Sequence, residues 1–282
     1  MKKPIPRKKA AVKRVSKSKK KTSVFSSKIF LIAIFLLSFL FASYHYRNAI
    51  LYYFSFKSNK SDGSEKLSAS RNELVLSKNP DKVAGIDVSH YQGNIDWSLV
   101  KNIHEKYPIG FVFIRATTGN DKADAKYKYN WAQAKKHHFI RGAYHYYRPN
   151  ENSVEQANNF IKTVKLSKGD LPPVLDIEKL PKDQSIDSLK RGLRRWLEIV
   201  DKHYKVRPII YSGESYYTDF LKDEFSDYPF WIANYNFLEE KINDDWLFWQ
   251  FTEKAKVSGI KGNVDVNIYN GTPKMLGYLR IN

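Results

Sequence analysis

Eight short apolar runs set the main constraint on what this chain can become. They are Val83–Val88, Gly110–Arg115, Ile140–Tyr147, Pro173–Glu178, Pro208–Ser212, Pro229–Asn234, Trp246–Phe251 and Val264–Ile268. Each has the length of a strand and is bounded by polar or turn-forming residues. Helical patterns separate only the first six, over Asp96–Tyr107, Asp124–His138, Ser153–Val164, Ser185–Tyr204 and Glu214–Phe225. Asp96, Ser153 and Ser185 stand where helix N-caps are expected. Strands alternating with helices argue for a parallel sheet with helices outside it. Eight strands suffice to close a barrel. The expected fold is therefore α/β, a TIM-like barrel whose last portion lacks helices. An open doubly wound sheet is the rival, but no Gly-rich dinucleotide turn follows any strand.

What precedes Val83 has a different character. Residues 1–28 carry twelve Lys and Arg and no acid. The formal net charge is +19, so the other 254 residues hold 36 basic and 29 acidic groups, a net of +7. A basic arm of this kind can bind nucleic acid through phosphates. The next segment gives the arm another meaning. Ile29–Tyr46 is 18 residues without Asp, Glu, Lys or Arg. As a helix it would span about 27 Å, close to a bilayer core of about 30 Å. Tyr44, Tyr46, Tyr52 and Tyr53 suit the interface belt, and Arg47 can snorkel. Lys and Arg beside a first span stay cytoplasmic.

The expected organisation is a basic cytoplasmic arm (1–28), a single-pass anchor (29–50), a Ser- and Lys-rich linker (51–82) and one folded domain (83–282) outside the cytoplasmic membrane. A short ordered piece within the linker is allowed at Leu74–Leu76. A cleaved signal peptide, giving a secreted protein, is the rival. Its n-region would be long, and Leu40-Phe41-Ala42 is a poor small-x-small site. Nucleic acid is not an expected partner, and a monomer is expected. The absence of cysteine excludes a disulfide scaffold, a thiolate zinc site, an iron–sulfur cluster and a Cys nucleophile. It is neutral for an exported bacterial domain of this size.

The chemistry-bearing residues stand at strand ends. In Pro172-Pro173-Val174-Leu175-Asp176-Ile177-Glu178 the apolar run ends in two carboxylates at i and i+2. Period two puts Asp176 and Glu178 on one face, with Leu175 and Ile177 packing under helices on the other. The C-terminal strand end is the catalytic face of such a barrel. Two close carboxylates share protons unequally, giving one acid and one anion at neutral pH. Glycosidic cleavage needs that division of labour. A bare D-x-E also fits a structural pair held by Lys, Arg or loop amides. Asp87 at the end of the first run and Asp265 on the last tip the balance, because first and last strands are neighbours in a closed barrel.

With these residues in view, the chain resembles glycoside hydrolase family 25, the Chalaropsis-type lysozymes or N-acetylmuramidases. The resemblance rests on GIDVSHYQGNIDW (Gly85–Trp97), FVFIRATTG (Phe111–Gly119), RGAYHYYRP (Arg141–Pro149), PPVLDIE (Pro172–Glu178), PIIYSG (Pro208–Gly213), FWIANY (Phe230–Tyr235) and FWQFT through NVDVNIYNG (Phe248–Gly271). These segments follow the family order. The resemblance implies a flattened barrel of eight strands and five helices. It also implies cleavage of the β-1,4 bond from N-acetylmuramic acid to N-acetylglucosamine in peptidoglycan, with retention. Glu178 would be the general acid and then base. Asp176 or Asp265 would polarise the 2-acetamido group, and Asp87 would complete the cluster. One departure stands out: the family segment often reads Lys-Ala-Thr-Glu-Gly, and here Thr118 occupies the Glu position.

Tyr144, Tyr146, Tyr211, Trp231 and Tyr235 lie on or beside strand candidates, where rings can stack on sugar faces or pack the core. Asn234 and Gln250 are candidates for hydrogen bonds to substrate. His90, His145 and the His137/His138 pair lack the spacing of a zinc site, so neither metal nor cofactor is expected. A chitinase-like hydrolase is a second enzymatic reading. Such proteins carry acids two and five positions before the D-x-E Asp, where this chain has Val174 and Leu171. A wall-binding module with an impaired site is the non-enzymatic reading, motivated by Thr118.

Overall fold

A computed structural model of the chain describes residues 24–45 and 61–282. The basic arm, read over 1–28, lies outside the described residues up to residue 23, as does the segment 46–60. The chain divides into one unit ending at Arg47 and a second from Asn48 to Asn282. In the first, helix α1 (Val24–His45) covers most of the expected anchor. Among the described residues no helix is long and apolar enough to cross a membrane.

The second unit is built on a closed barrel. Its staves are β1 (Val83–Val88), β4 (Phe111–Thr118), β6 (Ile140–Tyr146), β7 (Val174–Asp176), β8 (Ile209–Gly213), β9 (Phe230–Ala233), β10 (Phe248–Ala255) and β11 (Val264–Tyr269). All eight coincide with the apolar runs. Three two-residue strands, β2 (Asn102–Ile103), β3 (Tyr107–Pro108) and β5 (Lys122–Ala123), are peripheral. The order β1-β11-β10-β9-β8-β7-β6-β4 closes through a parallel β1–β4 pairing. Pairings are parallel from β4 through β10. They become antiparallel at β10–β11 and β11–β1. No helix intervenes between β10 and β11, and a short connection can join only antiparallel neighbours.

Outside the barrel lie α3 (Tyr127–Lys136), α4 (Ser153–Thr163), α5 (Ile186–Tyr204) and α6 (Glu214–Tyr216), which continues as a π-turn over Tyr217–Leu221. Ser185 caps α5 by accepting from the Ser188 amide. Asn152, one residue before the expected Ser153, caps α4. Leu175 and Ile177 pack with Leu189, Leu193 and Trp196 of α5, as period two requires. The inward positions carry Phe111, Phe113, Val174, Ile209, Trp231, Phe248 and Tyr269. These rings need room. A Cβ on Gly85 would lie 2.5 Å from the Phe111 ring, and one on Gly142 would lie 2.4 Å from the Phe113 ring.

The structure corrects three expectations. Asp96–Tyr107 is not helical: Asp96 Oδ1 accepts from the Ser98 amide in a turn, and the left-handed residues His104 and Glu105 (φ 48° and 59°) join β2 to β3. Ile95 and Trp97 are buried on either side of Asp96, and the Leu99 amide closes the turn onto the Asp96 carbonyl at 3.1 Å. The stretch read as linker contains helix α2 (Ser61–Lys78), with Val75 and Leu76 in the hydrophobic core. Its apolar content is too low to announce a helix, and a few residues anchor it. A last helix, α7 (Pro273–Leu279), follows the barrel. Thr272 caps it and Pro273 opens it, a legible start signal.

Candidate active site

The acidic groups are delivered by strand register. Asp87 on β1 faces Asp265 on β11 across the antiparallel pair. Asp176 ends β7, opposite Tyr146 on one side and Tyr211 on the other. Glu178 lies two residues beyond, past the strand, and is exposed at the barrel mouth. All four carboxylates line one cavity of about 1060 Å³, together with Tyr144, Tyr146, Tyr211, Trp231, Tyr235 and Gln250.

Amides organise the cluster from behind. Asp87 Oδ2 accepts from Gln250 Nε2 at 2.8 Å and from Asn267 Nδ2 at 2.9 Å. Gln250 Oε1 accepts from the Tyr211 hydroxyl at 2.8 Å and from the Tyr235 hydroxyl. Trp231 Nε1 donates to Asn267 Oδ1 at 2.8 Å. Each amide thus has its orientation set by a ring on another strand, and each presents its NH₂ to the same carboxylate oxygen.

Burial and mutual repulsion set the protonation pattern. Burial pushes Asp87 up to about 6, against the Asn267 and Gln250 amides, and the Glu178 charge adds to the rise. Burial raises Asp176 well above the usual carboxylate range, reinforced by Glu178 and Asp87 and opposed by Arg115. Loss of water raises Glu178, opposed by Lys179 and Arg115. Burial lifts Asp265 to about 9, with repulsion from Asp87, Glu253 and Glu178. Four carboxylates that line one cavity cannot all ionise, so the site holds protons near neutral pH.

Ten of the eleven carboxylate, aromatic and amide residues singled out in the sequence for the site line the cavity. The eleventh, Asn234, does not. It is buried, its Oδ1 accepts from the Asn236 amide at 2.7 Å, and its carbonyl accepts from Trp249 Nε1 at 2.8 Å. It shapes the turn that carries Tyr235.

The structure also brings in Arg115, Asp124 and Glu151, which the sequence did not single out, and shows where His90, Thr118 and His145 lie. Arg115 continues the inward series Phe111, Phe113 on β4, and that period-two position was the available signal. Asp124 Oδ2 accepts from Arg115 Nε at 3.0 Å and meets His90 Nδ1 at 2.7 Å. Burial alone would raise Asp124, but hydrogen bonds from His90, the Lys126 amide and Arg115 hold it below the usual range. The carboxyl is therefore committed to this network, and α3 begins at Tyr127 rather than at Asp124. Thr118 lines the cavity beside Glu151. Glu151 Oε2 accepts from the Asn120 amide at 2.8 Å and Oε1 from Arg148 at 2.9 Å. His145 is enclosed between Thr117 and Gln156, and burial pushes it down to about 3, so it is a neutral packing histidine.

A barrel whose mouth gathers acids among aromatic rings defines a sugar-cleaving hydrolase. The chain belongs to the glycosyl hydrolases family 25, whose family model matches residues 86–260. It is a glycoside hydrolase. Lysozyme M1 of Streptomyces globisporus is 34% identical over 209 residues, covering 69% of this chain and 70% of that protein. The YegX protein of Escherichia coli K12 is 39% identical over 197 residues, covering 69% and 72%. The crystal structure of a bacterial lysozyme from Streptomyces coelicolor superimposes with a TM-score of 0.62 at 30% identity, covering 70% of this chain and 96% of that one.

Proposed function

We propose that the protein is a peptidoglycan muramidase, cleaving the β-1,4 bond between N-acetylmuramic acid and N-acetylglucosamine with retention. The observation that carries this reading is the convergence of Asp87, Asp176, Glu178 and Asp265 on one aromatic-lined cavity. Glu178 is the general acid. Its carboxyl is raised and stands at the open mouth, where a leaving glycosidic oxygen can reach it. Asp176 Oδ1 is buried and has no hydrogen-bond partner among the described residues. It takes the N–H of the substrate's 2-acetamido group. The acetamide oxygen attacks the anomeric carbon as the C–O bond breaks and Glu178 gives up its proton. Water then displaces the acetamide oxygen from the anomeric carbon, breaking that C–O bond and regenerating the acetamide, Glu178 recovers a proton from the water, and two displacements leave the configuration unchanged. Asp265 keeps its proton and Asp87 stays fixed by its two amides.

Purified peptidoglycan incubated with the protein, reduced with borohydride and read by mass spectrometry tests the reading. Reduced N-acetylmuramic acid ends are expected. Reduced N-acetylglucosamine ends would overturn the bond assignment. Comparable turnover of chitin would favour the chitinase-like reading, and wall binding without released fragments would favour a binding module. Glu178→Gln is expected to lower kcat by about 10²–10⁴-fold. Full lytic activity in that variant would sink the assignment. The uncharged run Ile29–Tyr46 behind a basic arm further supports a single-pass anchor, with the hydrolase outside the cytoplasmic membrane. Protease shaving of intact spheroplasts should then release the hydrolase domain.

A further inference from the structure

Helix α2 precedes the residues matched to the family. It nevertheless touches the wall of the cavity from behind. In β10, Gln250 pairs with Asn267 and Thr252 pairs with Val266, so Phe251 is an extra, bulged residue. The pairing of β10 with β9 ends at Gln250 and Ala233. From Phe251 onward β10 therefore lacks a strand on that side, and its backbone needs another partner. Helix α2 supplies it. The Arg71 guanidinium donates through Nη1 to the Phe251 carbonyl. Its Nη2 donates to the Asn236 carbonyl at 2.7 Å. Arg71 is 5% exposed, and its guanidinium lies 5.9 Å from the centre of the Phe251 ring.

The two carbonyls flank the machinery. Phe251 follows Gln250, which donates to Asp87. Asn236 follows Tyr235, whose hydroxyl donates to Gln250. One planar fork thus ties together the two segments that orient the Asp87 amide partner. Just past the end of α2, Asn79 Nδ2 donates to the Glu240 carbonyl at 2.9 Å, holding the same loop at a second point.

We propose that α2 is a working part of the hydrolase and that Arg71 is a positioning residue, clamping Gln250 and Tyr235 in register against Asp87. The kinetic part rests on the muramidase reading, while the clamp is open to a test that needs no turnover. Releasing it lets Gln250 turn from Asp87, and the Asp87 carboxyl then keeps its proton to higher pH. The groups that face Asp87 and share its titration are Asp265 on β11, Asp176 and Glu178 at the end of β7, Tyr144 on β6, Tyr211 on β8 and Tyr235 after β9. Arg71 reaches this cluster through the segments that carry Gln250 and Tyr235.

The test uses the full chain in mild detergent, with Arg71→Ala, Arg71→Lys and, on the exposed side of α2, Ser77→Ala as control. Two quantities are read: kcat and KM on soluble glycan strands, and the Asp87 titration by carbon NMR of Asp-labelled protein, assigned with Asp87→Asn. Arg71→Ala is expected to lower kcat about tenfold with KM changed less than about threefold. It should move the Asp87 titration upward, and added guanidinium should restore both. Arg71→Lys keeps one donor and is expected to fall between. Should Arg71→Ala lack a cooperative melt, Arg71→Lys carries the same two readings. An unchanged Asp87 titration in a folded Arg71 variant overturns the proposal, even if the wild type proves inactive on peptidoglycan. A change in KM alone also overturns it.

Discussion

The floor and the mouth of this barrel are built from the same strands and obey opposite rules. Toward the floor the inward positions carry Phe111, Phe113 and Phe248, closed on one another, and Phe113 stacks at 4.6 Å on Trp231, which lines the mouth. A few residues along, the inward positions become Asp87, Arg115, Asp176 and Asp265. Nearly every atom of the floor lowers the free energy of folding by leaving water. The mouth holds carboxylates short of water and close to one another, an arrangement that works against folding. Stability and chemistry are thus separated by a short distance along each strand rather than assigned to different elements.

Glu178→Gln cuts most deeply on the mouth side. The kcat loss given above should come with a melting free energy within about 0.5 kcal/mol of wild type, since the side chain stands at an exposed position. Calorimetry beside the turnover assay checks the pairing. Phe113→Ala is its mirror image on the floor. It should cost about 3–5 kcal/mol of stability, seen in denaturant titration, while the fraction that remains folded keeps its kcat. Gly85→Ala is expected to cost about 1–3 kcal/mol, because the added Cβ meets the Phe111 ring.

Asp265→Asn sharpens the contrast through its sign. The folded-state carboxyl titrates near 9, against about 4 in the unfolded chain. The fold therefore binds this proton more tightly. The stability it contributes is full below about 4 and disappears as pH rises through about 9. Asparagine has no proton to lose. The variant should gain stability over wild type by roughly 1 kcal/mol or more at pH 8 and progressively less toward pH 4. Its turnover should fall throughout. A gain that does not grow with pH would show that Asp265 does not hold its proton in the fold.

Much of this contrast is readable from the chain. Eight strands announce themselves because buried staves need continuous apolar and β-branched runs. The D-x-E end of β7 follows from period two, and the Asp87–Asp265 pairing follows from barrel closure, as their register confirms. Other features depend on contacts between distant segments. Arg71 looks like one more charge in a polar stretch until the bulged carbonyl of Phe251 is in place to receive it. Asp124 opens a helical pattern in the sequence, yet His90 and Arg115 claim its Oδ2. Asn234 sits in an apolar strand beside the site, but a turn amide takes its side chain.

The antiparallel last stave has a consequence for biogenesis. β1, the first stave made, finds its second neighbour only in β11, with Val83 aligned to Tyr269 at the far end of the domain. Ring closure spans almost the whole domain and is the slow, long-range event of folding. Until Val264–Tyr269 has been synthesised, Asp87 lacks both Asp265 and the amide of Asn267. A nascent chain can therefore build every parallel pairing and still lack Asp265 and the Asn267 amide. The acid cluster is complete only when the last strand docks.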